Sequence, residues 1–336
     1  MTGRERVSAM LRGAATDHLP FMPITMMFAA DRAGIPYRRY ATDGAALAEA
    51  QLRVAEEFGA DHISAISDPA REVADLGGAI EWFEDQPPAI RGEASLLEEK
   101  SKLAELAVPD PEAPGRMSDR VRGVRCMAGR AGGSLMIEGW VEGPCAMAAD
   151  LRGMNALMLD FHDDPQFVEE LMEFAVRMEA RFAAAQVAAG ATLMGIGDAA
   201  ASLVGPRHYE RFVLAWEKRL VEQIHALGVP ARLHICGNTK KIVRGMGATK
   251  CEIVDLDFLT PLAEARAAMG PQQVLLGNID PVRALRDGTP ESVYAAIAEC
   301  HAQAGARYIV GAGCETPRGT PVENVRAMAR YAAEHN

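Results

Sequence analysis

The stretch HYERFVLAWEKRLVEQIHALGVPARLHICGNT (208–239) contains one helix, one turn and one strand, and this pattern decides the fold. Its first part has Phe212, Trp216 and Leu220 at helical spacing, which predicts an amphipathic helix that ends at Gly228. Its second part, ARLHIC, is a short and largely apolar run, which is typical of a buried parallel strand. A helix that alternates with a buried strand is the repeating unit of an α/β protein.

Runs like ARLHIC recur along the chain, and longer helical patterns separate them. Eight such strands predict a (β/α)8 TIM barrel, whose chemistry lies at the C-terminal ends of the strands. An open, doubly wound sheet is the alternative, but no GxGxxG motif opens the first helix. The predicted strands occupy residues 19–25, 62–67, 134–139, 193–198, 231–236, 253–257, 273–277 and 308–313.

We expect a single barrel domain over residues 1–336, because no low-complexity linker interrupts the alternation of elements. A chain of this length can bury one large core. The segment from about residue 69 to 133 is too long for one crossover between strands. We therefore expect an excursion there, with a hairpin-like piece near Gly77–Ile90.

Composition and charge exclude several classes of function. The net charge of -11 argues against a nucleic-acid binder and against a protein that binds anionic membranes. No apolar run approaches the roughly 20 residues of a membrane span, and MTGRERVSAMLRG at the N-terminus lacks the apolar region of a secretory signal. Six dispersed cysteines indicate reduced thiols. These features predict a cytoplasmic enzyme.

Three residues that can bind a metal ion follow two of the predicted strands. Residues two apart in a strand point to the same side, so His234 and Cys236 are expected to bind one ion together. Cys314 follows the predicted strand 308–313 and brings a third donor to the same edge. Three protein ligands are typical of a catalytic zinc site with one open position. Two alternatives use the same residues: thiols that only pack in the core, and a Cys236–Cys314 disulfide, which a reducing compartment disfavours.

Carboxylates and an amide also follow the predicted strands. Asp198, Glu142 and Asn278 are the candidate catalytic residues, because strand ends converge at the mouth of a barrel. Each has a structural alternative as a hydrogen-bonded or helix-capping side chain. The other polar or aromatic residues at or near predicted strand ends are Asp68, Glu138, Trp140, Asp255, Asp257 and Asp280.

Three motifs carry a resemblance to a known family: LHICGNT (233–239), GNIDP (277–281) and GAGCETPRGTPVENV (311–325). They resemble the uroporphyrinogen decarboxylase superfamily, and more closely its zinc-dependent, corrinoid-linked methyltransferase branch, the relatives of methylcobalamin:coenzyme M methyltransferases. ISDPAREVADLGG (66–78) and EGPCAMAADLRG (142–153) fall in the expected order, so the resemblance covers essentially the whole chain. It implies a uroporphyrinogen decarboxylase-like barrel, with zinc held by the histidine and two cysteines named above.

The resemblance also implies methyl transfer between a corrinoid and a small molecule. The small molecule is a thiol, tetrahydrofolate, or a methyl ether or methylamine, and the direction of transfer stays open. No DxHxxG motif is present, so the corrinoid is expected as free methylcobalamin or on a separate corrinoid protein. Either Glu142 or Glu138 is expected to fill the fourth zinc position at rest, and Asp198 to orient the substrate.

Two other functions stay open from the sequence alone. One is a metal-independent decarboxylase of the uroporphyrinogen type, and the other is a zinc-stabilised binding protein. MMFAADRAG (26–34) stands where the decarboxylases have an arginine-bearing motif, which leaves Arg32 as the single arginine there. A tetrapyrrole with several carboxylates needs a cluster of arginines. The sequence therefore favours methyl transfer.

Overall fold

A parallel sheet forms the centre of the molecule in the computed structural model, which describes residues 1–91 and 95–336. Within the described residues the sheet has seven strands in the order β1-β4-β5-β6-β7-β8-β9, and β2 and β3 form a separate antiparallel pair. The strands are β1 (His62–Ser64), β2 (Ile80–Glu81), β3 (Ala89–Ile90), β4 (Met136–Glu142), β5 (Leu193–Gly197), β6 (Ala231–Ile235), β7 (Ile253–Leu256), β8 (Val274–Leu276) and β9 (Tyr308–Ile309).

The sheet curls until its two edge strands lie beside one segment, residues 20–22. Val310 N, just after β9, donates a hydrogen bond to Pro20 O (2.9 Å). Asp61 N, just before β1, donates to Phe21 O (2.9 Å). The predicted first strand, 19–25, is thus reduced to a single parallel bridge between Phe21 and Val310. The architecture is α/β with a curled parallel sheet.

Helices cover the outside of the sheet, and apolar side chains fill the space between the two layers. In α9, for example, Leu171, Ala175 and Met178 are buried at helical spacing. The α-helices are α1 (Gly3–Arg12), α2 (Met27–Ala33), α3 (Tyr37–Thr42), α4 (Gly44–Phe58), α5 (Ala70–Asp75), α6 (Arg116–Ala131), α7 (Pro144–Arg152), α8 (Met154–Asp163), α9 (Pro165–Ala188), α10 (Gly205–His208), α11 (Leu214–Ala226), α12 (Val243–Ala248), α13 (Leu262–Met269), α14 (Pro290–Ala304) and α15 (Val322–Glu334).

The helix predicted before ARLHIC is divided in the structure. A π-helical turn, Tyr209–Val213, lies between α10 and α11, so the helical spacing is interrupted near its start. Gly228 ends the helical segment with a positive φ of 81°, as expected for a residue without a Cβ atom.

The predicted excursion between β1 and β4 contains the predicted hairpin. β2 and β3 pair antiparallel, with Ile80 opposite Ile90. Helix α6 then returns the chain to the start of β4. Residues 92–94 of the excursion lie outside the described residues, and the single-domain organisation stays a prediction.

Several predicted strands have other bounds in the structure: β1 ends at Ser64 and β9 at Ile309, and the change in β4 concerns two candidate site residues. The strand predicted over 134–139 is β4, Met136–Glu142, so Glu138 lies in its middle and Glu142 is its last residue. Gly139 and the two glutamates interrupt the apolar run of β4, so the sequence pattern does not show where the strand ends. A Cβ atom at Gly139 would lie 2.6 Å from Met194 Sδ and 2.9 Å from Gln186 Oε1. Glycine is therefore present because α9 and β5 pack closely there.

Candidate metal centre

The three predicted metal ligands come together at the C-terminal edge of the sheet. One ligand atom from each of His234, Cys236 and Cys314 lies within 4.8 Å of the other two. His234 Nε2 is 3.0 Å from Cys236 Sγ, and Cys236 Sγ is 3.6 Å from Cys314 Sγ. The imidazole is buried and the two thiols are half-buried, so the cluster faces the mouth rather than the core.

Glycines allow the loops that carry the two thiols to approach each other. A Cβ atom at Gly313 would lie 2.4 Å from Phe258 N, so only glycine fits between Cys314 and the loop after β7. Gly237, directly after Cys236, has a φ of 94°, which disfavours any other residue. These two glycines therefore determine the backbone path beside Cys236 and Cys314.

The donor set and its spacing fit a zinc ion. Zinc prefers imidazole nitrogen and thiolate sulfur in tetrahedral geometry, with Zn–S bonds of about 2.3 Å, so two bound sulfurs lie roughly 3.8 Å apart. The Sγ–Sγ distance of 3.6 Å is close to this value. Imidazole and thiolate ligands also suit other borderline cations, so the donor set indicates a site for a borderline metal ion.

The surroundings favour the thiolate form, which a metal requires, at one of the two cysteines. A hydrogen bond from Cys236 and the nearby His234 lower the pKa of Cys314 to about 4, although burial opposes this. The pKa of Cys236 is raised, first by its role as the donor to Cys314 and then by burial. Burial alone would lower the pKa of His234, but Asp255 and Cys236 raise it above its ordinary value. Cys314 is thus the sulfur that first carries negative charge.

A cavity of about 720 Å³ opens beside Cys314 at the same edge. Apolar side chains of Met27, Phe258, Leu259 and Val282 line much of it. Three of these, Phe258, Leu259 and Val282, are among the exposed large hydrophobic residues of the described chain. The centre therefore adjoins a wide, apolar mouth that is open to solvent.

Three arginines at this mouth were not anticipated from the sequence: Arg283 and Arg286 belong to a π-helical turn, Pro281–Arg286, and Arg318 lies four residues after Cys314. Arg318 forms ion pairs with Asp31 (2.8 Å) and Asp85 (3.0 Å), and Arg286 pairs with Asp287 (2.8 Å). Within the described residues, the exposed Arg283 side chain forms neither an ion pair nor a hydrogen bond. The mouth therefore offers one uncompensated guanidinium rather than a cluster.

Two of the candidate catalytic residues contact protein groups. The Glu142 carboxylate accepts a hydrogen bond from Arg71 Nη2 (3.0 Å), and burial raises its pKa to about 8 despite that arginine. Asn278 donates through Nδ2 to Asp257 O (3.0 Å) and Thr260 O (2.6 Å). Asn278 therefore supports the loop after β7, beside the metal cluster.

Asp198, the third candidate, is completely enclosed at the end of β5. Its carboxylate oxygens accept hydrogen bonds from Cys145 N (3.3 Å) and Ala146 N (2.6 Å) at the start of α7. Burial raises the pKa of Asp198 to about 7, while these two N–H groups lower it. The geometry supports an anchoring contact between β5 and α7, and direct contact with substrate stays a prediction.

Glu138, the other acid predicted near the open zinc position, points into the sheet interior. Arg232 Nη1 lies 3.1 Å and 3.3 Å from its two oxygens, and the carboxylate is fully buried. Arg232 was missed from the sequence, although it lies two residues before His234 and therefore shares its side of β6. The two-residue spacing between Arg232 and His234 is the sequence signal that could have identified Arg232.

Two further acids, Glu315 and Asp257, lie beside the cluster. Glu315 follows Cys314, lines the cavity and accepts a hydrogen bond from Met27 N (2.7 Å). Burial raises its pKa to about 7. Asp257 accepts from Gly237 N (2.8 Å) and therefore ties the loop after Cys236 to the loop after β7.

No helix in the described part of the chain is long and apolar enough to cross a membrane. This finding agrees with the absence of a long apolar run in the sequence.

Curated relatives of this chain include methyltransferases and decarboxylases. The chain is 26% identical to a methylated-thiol–coenzyme M methyltransferase of Methanosarcina mazei, over 99% of this chain and 90% of that protein. It is 26% identical to a methylcobamide:CoM methyltransferase of Methanosarcina acetivorans, over 99% and 98%. A uroporphyrinogen decarboxylase of Microcystis aeruginosa is 25% identical, over 99% of both chains.

A solved methyltransferase from Methanosarcina mazei has the same fold, with a TM-score of 0.91 and 22% identity over 99% of each chain. The model of the family described as uroporphyrinogen decarboxylase (URO-D) matches residues 2–335. The resemblance inferred from the motifs is therefore confirmed, and the chain belongs to the uroporphyrinogen decarboxylase family.

Proposed function

We propose that this protein is a zinc-dependent methyltransferase that exchanges a methyl group between a corrinoid and a small thiol, folate, or O- or N-methyl substrate. The observation that carries the proposal is the His-Cys-Cys cluster, whose donor atoms lie within 4.8 Å of one another beside an open cavity. Relatives named as methylcobamide:CoM methyltransferases support the same reaction class.

His234, Cys236 and Cys314 would hold the zinc ion. A zinc ion with three protein ligands supplies Lewis acidity at its open position, where it lowers the pKa of a bound thiol or polarises a methylated heteroatom. The apolar side chains of Phe258, Leu259 and Val282 line the cavity beside this position.

The candidate catalytic residues act in this proposal mainly through the protein around the mouth. Asn278 holds the loop after β7 beside the ligands, and Asp198 holds the start of α7 against β5. Glu142 is the candidate for direct contact, because it is the last residue of β4 and its carboxyl group has a raised pKa. Contact of Glu142 with substrate or metal is a proposal that a structure with a bound ligand would test.

A corrinoid must bring its cobalt-bound methyl group to the mouth, so a separate corrinoid protein or free methylcobalamin is the proposed partner.

We further propose that residues 20–22 close the sheet into a (β/α)8 barrel, since they form backbone hydrogen bonds with both of its edges. The dispersed cysteines support a reducing, cytoplasmic location.

The small substrate is proposed to carry one anionic group. Arg283 is exposed at the cavity and lacks an ion-pair partner within the described chain, whereas Arg286 and Arg318 are paired with acids. A single guanidinium binds one carboxylate or sulfonate well through paired hydrogen bonds. It does not suffice for a tetrapyrrole with many carboxylates.

Methyl transfer is tested by the methyl–cobalt absorption of methylcobalamin. Zinc-loaded protein is mixed with methylcobalamin and a panel of thiols and folates, and the reverse reaction uses cobalt(I) cobalamin with methyl ethers and methylamines. Loss or gain of the methyl–cobalt band is expected in one direction. Silence in both directions, with carrier-bound corrinoid included, would refute the proposal.

The decarboxylase alternative receives its own assay, because decarboxylases are among the relatives. Arg32, the single arginine near the first strand segment, is paired with Glu57 (2.7 Å) and so does not supply a free cation. We expect no carbon dioxide release from uroporphyrinogen by the metal-free protein. Turnover of that substrate would overturn the assignment to methyl transfer.

A further inference from the structure

A continuous set of buried ionic contacts runs beneath the candidate metal centre. Asp255 Oδ2 lies 3.0 Å from His234 Nδ1 and 2.6 Å from Arg232 Nη2. Arg232 Nη1 contacts Glu138 (3.1 Å), and His62 Nε2 lies 3.7 Å from the same carboxylate. All five side chains are buried, and they belong to four strands of the sheet, β7, β6, β4 and β1, of which β4 and β6 are separated by β5.

The two nitrogens of His234 have different surroundings. Nε2 faces Cys236 Sγ at 3.0 Å, so it is the atom directed at the metal cluster. Nδ1 faces Asp255, and among the described residues neither Nδ1 nor Asp255 Oδ1 has an aligned hydrogen bond. Burying Nδ1 of His234 and Oδ1 of Asp255 without hydrogen-bond partners costs free energy. Each of the two atoms lies beside the other residue's side chain.

We propose that Asp255 is a positioning residue that keeps the His234 proton on Nδ1 and thereby leaves the lone pair of Nε2 for the metal. A neutral imidazole has one N–H group and one lone pair, so the acceptor beside one nitrogen decides which nitrogen binds a metal. Carboxylates that accept from the second nitrogen also orient the ring and raise its basicity as a ligand. This inference rests on the proposed metal site.

Arg232 and Glu138 extend the positioning role by one further layer. Arg232 holds Asp255 Oδ2 through both Nε (3.2 Å) and Nη2 (2.6 Å), so the carboxylate has little freedom to rotate. Glu138 holds the other end of the same guanidinium. One arginine faces two carboxylates, and the excess negative charge therefore lies below His234, where it favours a bound cation.

The direct test is the zinc affinity of Asp255→Asn, measured by competition with a chromogenic chelator. We expect a loss on the order of 10- to 100-fold relative to the wild-type protein. The variant leaves Arg232 and Glu138 as a matched pair, so the fold is expected to survive. Asp160→Asn is the control, because Asp160 is also a buried carboxylate in ion pairs with Arg152 and Lys100, but lies in α8.

A spectroscopic readout separates positioning from general destabilisation. In cobalt(II)-substituted protein, the thiolate-to-cobalt and visible bands are expected to shift in Asp255→Asn and to stay unchanged in Asp160→Asn. Glu138→Gln is expected to lower zinc affinity by a smaller factor, since it loosens Arg232 rather than His234. This variant also serves if Asp255→Asn fails to fold.

Three outcomes would overturn the inference. Wild-type zinc affinity and an unchanged cobalt spectrum in Asp255→Asn would overturn the positioning role alone. An equal loss of affinity in Asp160→Asn would do the same. Failure of the wild-type protein to bind zinc at all would remove the metal site, and the proposed function would fail together with this inference.

Discussion

Buried carboxylates on two sides of the mouth have pKa values that are shifted in opposite directions. On the metal side, formed by β6 to β9, Arg232 and His234 outweigh burial and hold the pKa of Asp255 below its ordinary value. On the acid side, at the ends of β4 and β5, burial raises the pKa of Glu142 to about 8 and of Asp198 to about 7. Similar residues at similar positions therefore differ because their cationic partners differ.

The comparison shows why a strand-end position alone does not identify a catalytic group. The metal side directs its donors to an open cavity, and its charged residues are paired beneath them. The acid side encloses its carboxylates, and a single arginine, Arg71, contacts both Glu142 and Glu72. The first arrangement suits ligand binding, while in the second burial raises the pKa values of the acids.

The largest expected effect is the loss of metal from Cys314→Ala. Removing one of three protein ligands is expected to lower zinc affinity by more than about 100-fold while leaving the fold intact. Elemental analysis and chelator competition measure this, and circular dichroism follows the fold. Cys126→Ala, a half-buried cysteine in α6, is the matched control and should retain zinc.

If Cys314→Ala retained one zinc per chain, the division into a metal side and an acid side would collapse. Cys236→Ala should also abolish methyl transfer, with a nearly unchanged circular dichroism spectrum. Asp198→Asn lies on the acid side and is expected to bind zinc as the wild-type protein does.

Much of this comparison could be predicted from the sequence, because local patterns determine it. The alternation of apolar strands and helices gave the parallel sheet, and the spacing of His234 and Cys236 gave two ligands on one side of β6. The position of Cys314 after the predicted strand 308–313 added the third donor, and the resemblance of GAGCETPRGTPVENV to a family pattern supported it. The ion pairs of Arg232 with Glu138 and Asp255, which link β6 to β4 and β7, were not predictable. They depend on how the strands are arranged in the folded sheet.

The first strand and the β4 boundary show a second limit. Residues 19–25 have a strand-like pattern, yet only Phe21 forms a bridge, because tertiary bonds to both edges replace regular pairing. Glu138 was placed at a strand end, although it is a central residue of β4 and contacts Arg232. Gly139 concealed the C-terminal part of β4, although the close packing of α9 and β5 there requires a glycine.

The next expected effect concerns stability on the acid side. Glu142 has a folded pKa of about 8 against an ordinary value of 4.5, so its protonated form stabilises the fold at low pH. That contribution is fully present below pH 4.5 and is lost as the pH rises through about 8. Glu142→Gln, which stays neutral, should flatten this loss, by at most about 1.4 kcal/mol per pH unit.

Denaturant unfolding of apoprotein between pH 5 and pH 8 would measure the slope for Glu142→Gln and for the wild-type protein. Glu105→Gln, which changes an exposed acid, should leave the slope unaltered. Parallel curves for Glu142→Gln and the wild-type protein would contradict a protonated Glu142 near neutral pH.

An effect of opposite sign and similar size is expected beneath the metal side. Burial, followed by the charge of Arg232, lowers the pKa of His62 from 6.5 to about 3. Neutral His62 therefore contributes stability that is present above pH 6.5 and is lost as the pH falls toward 3. His62→Gln should show a shallower loss between pH 6.5 and pH 4.5, whereas the exposed control His162→Gln should follow the wild-type curve.

The smallest expected effect tests the open character of the metal side. Arg283 is exposed at the cavity without an ion-pair partner among the described residues, while Arg71 on the acid side is enclosed between carboxylates. Arg283→Gln should weaken binding of an anionic thiol such as 3-mercaptopropionate by roughly two- to fivefold, because an exposed ion pair contributes about 0.2–1 kcal/mol.

Calorimetry on zinc-loaded protein would separate charge recognition from sulfur binding at the metal. The neutral thiol 2-mercaptoethanol should bind Arg283→Gln and the wild-type protein equally, because it has no anionic group for the guanidinium. Arg286→Gln is the matched control, since Arg286 lines the same cavity but is already paired with Asp287. Equal losses for both thiols, or an equal loss in Arg286→Gln, would show that Arg283 does not select an anionic substrate. The metal side would then differ from the acid side in its ligands alone.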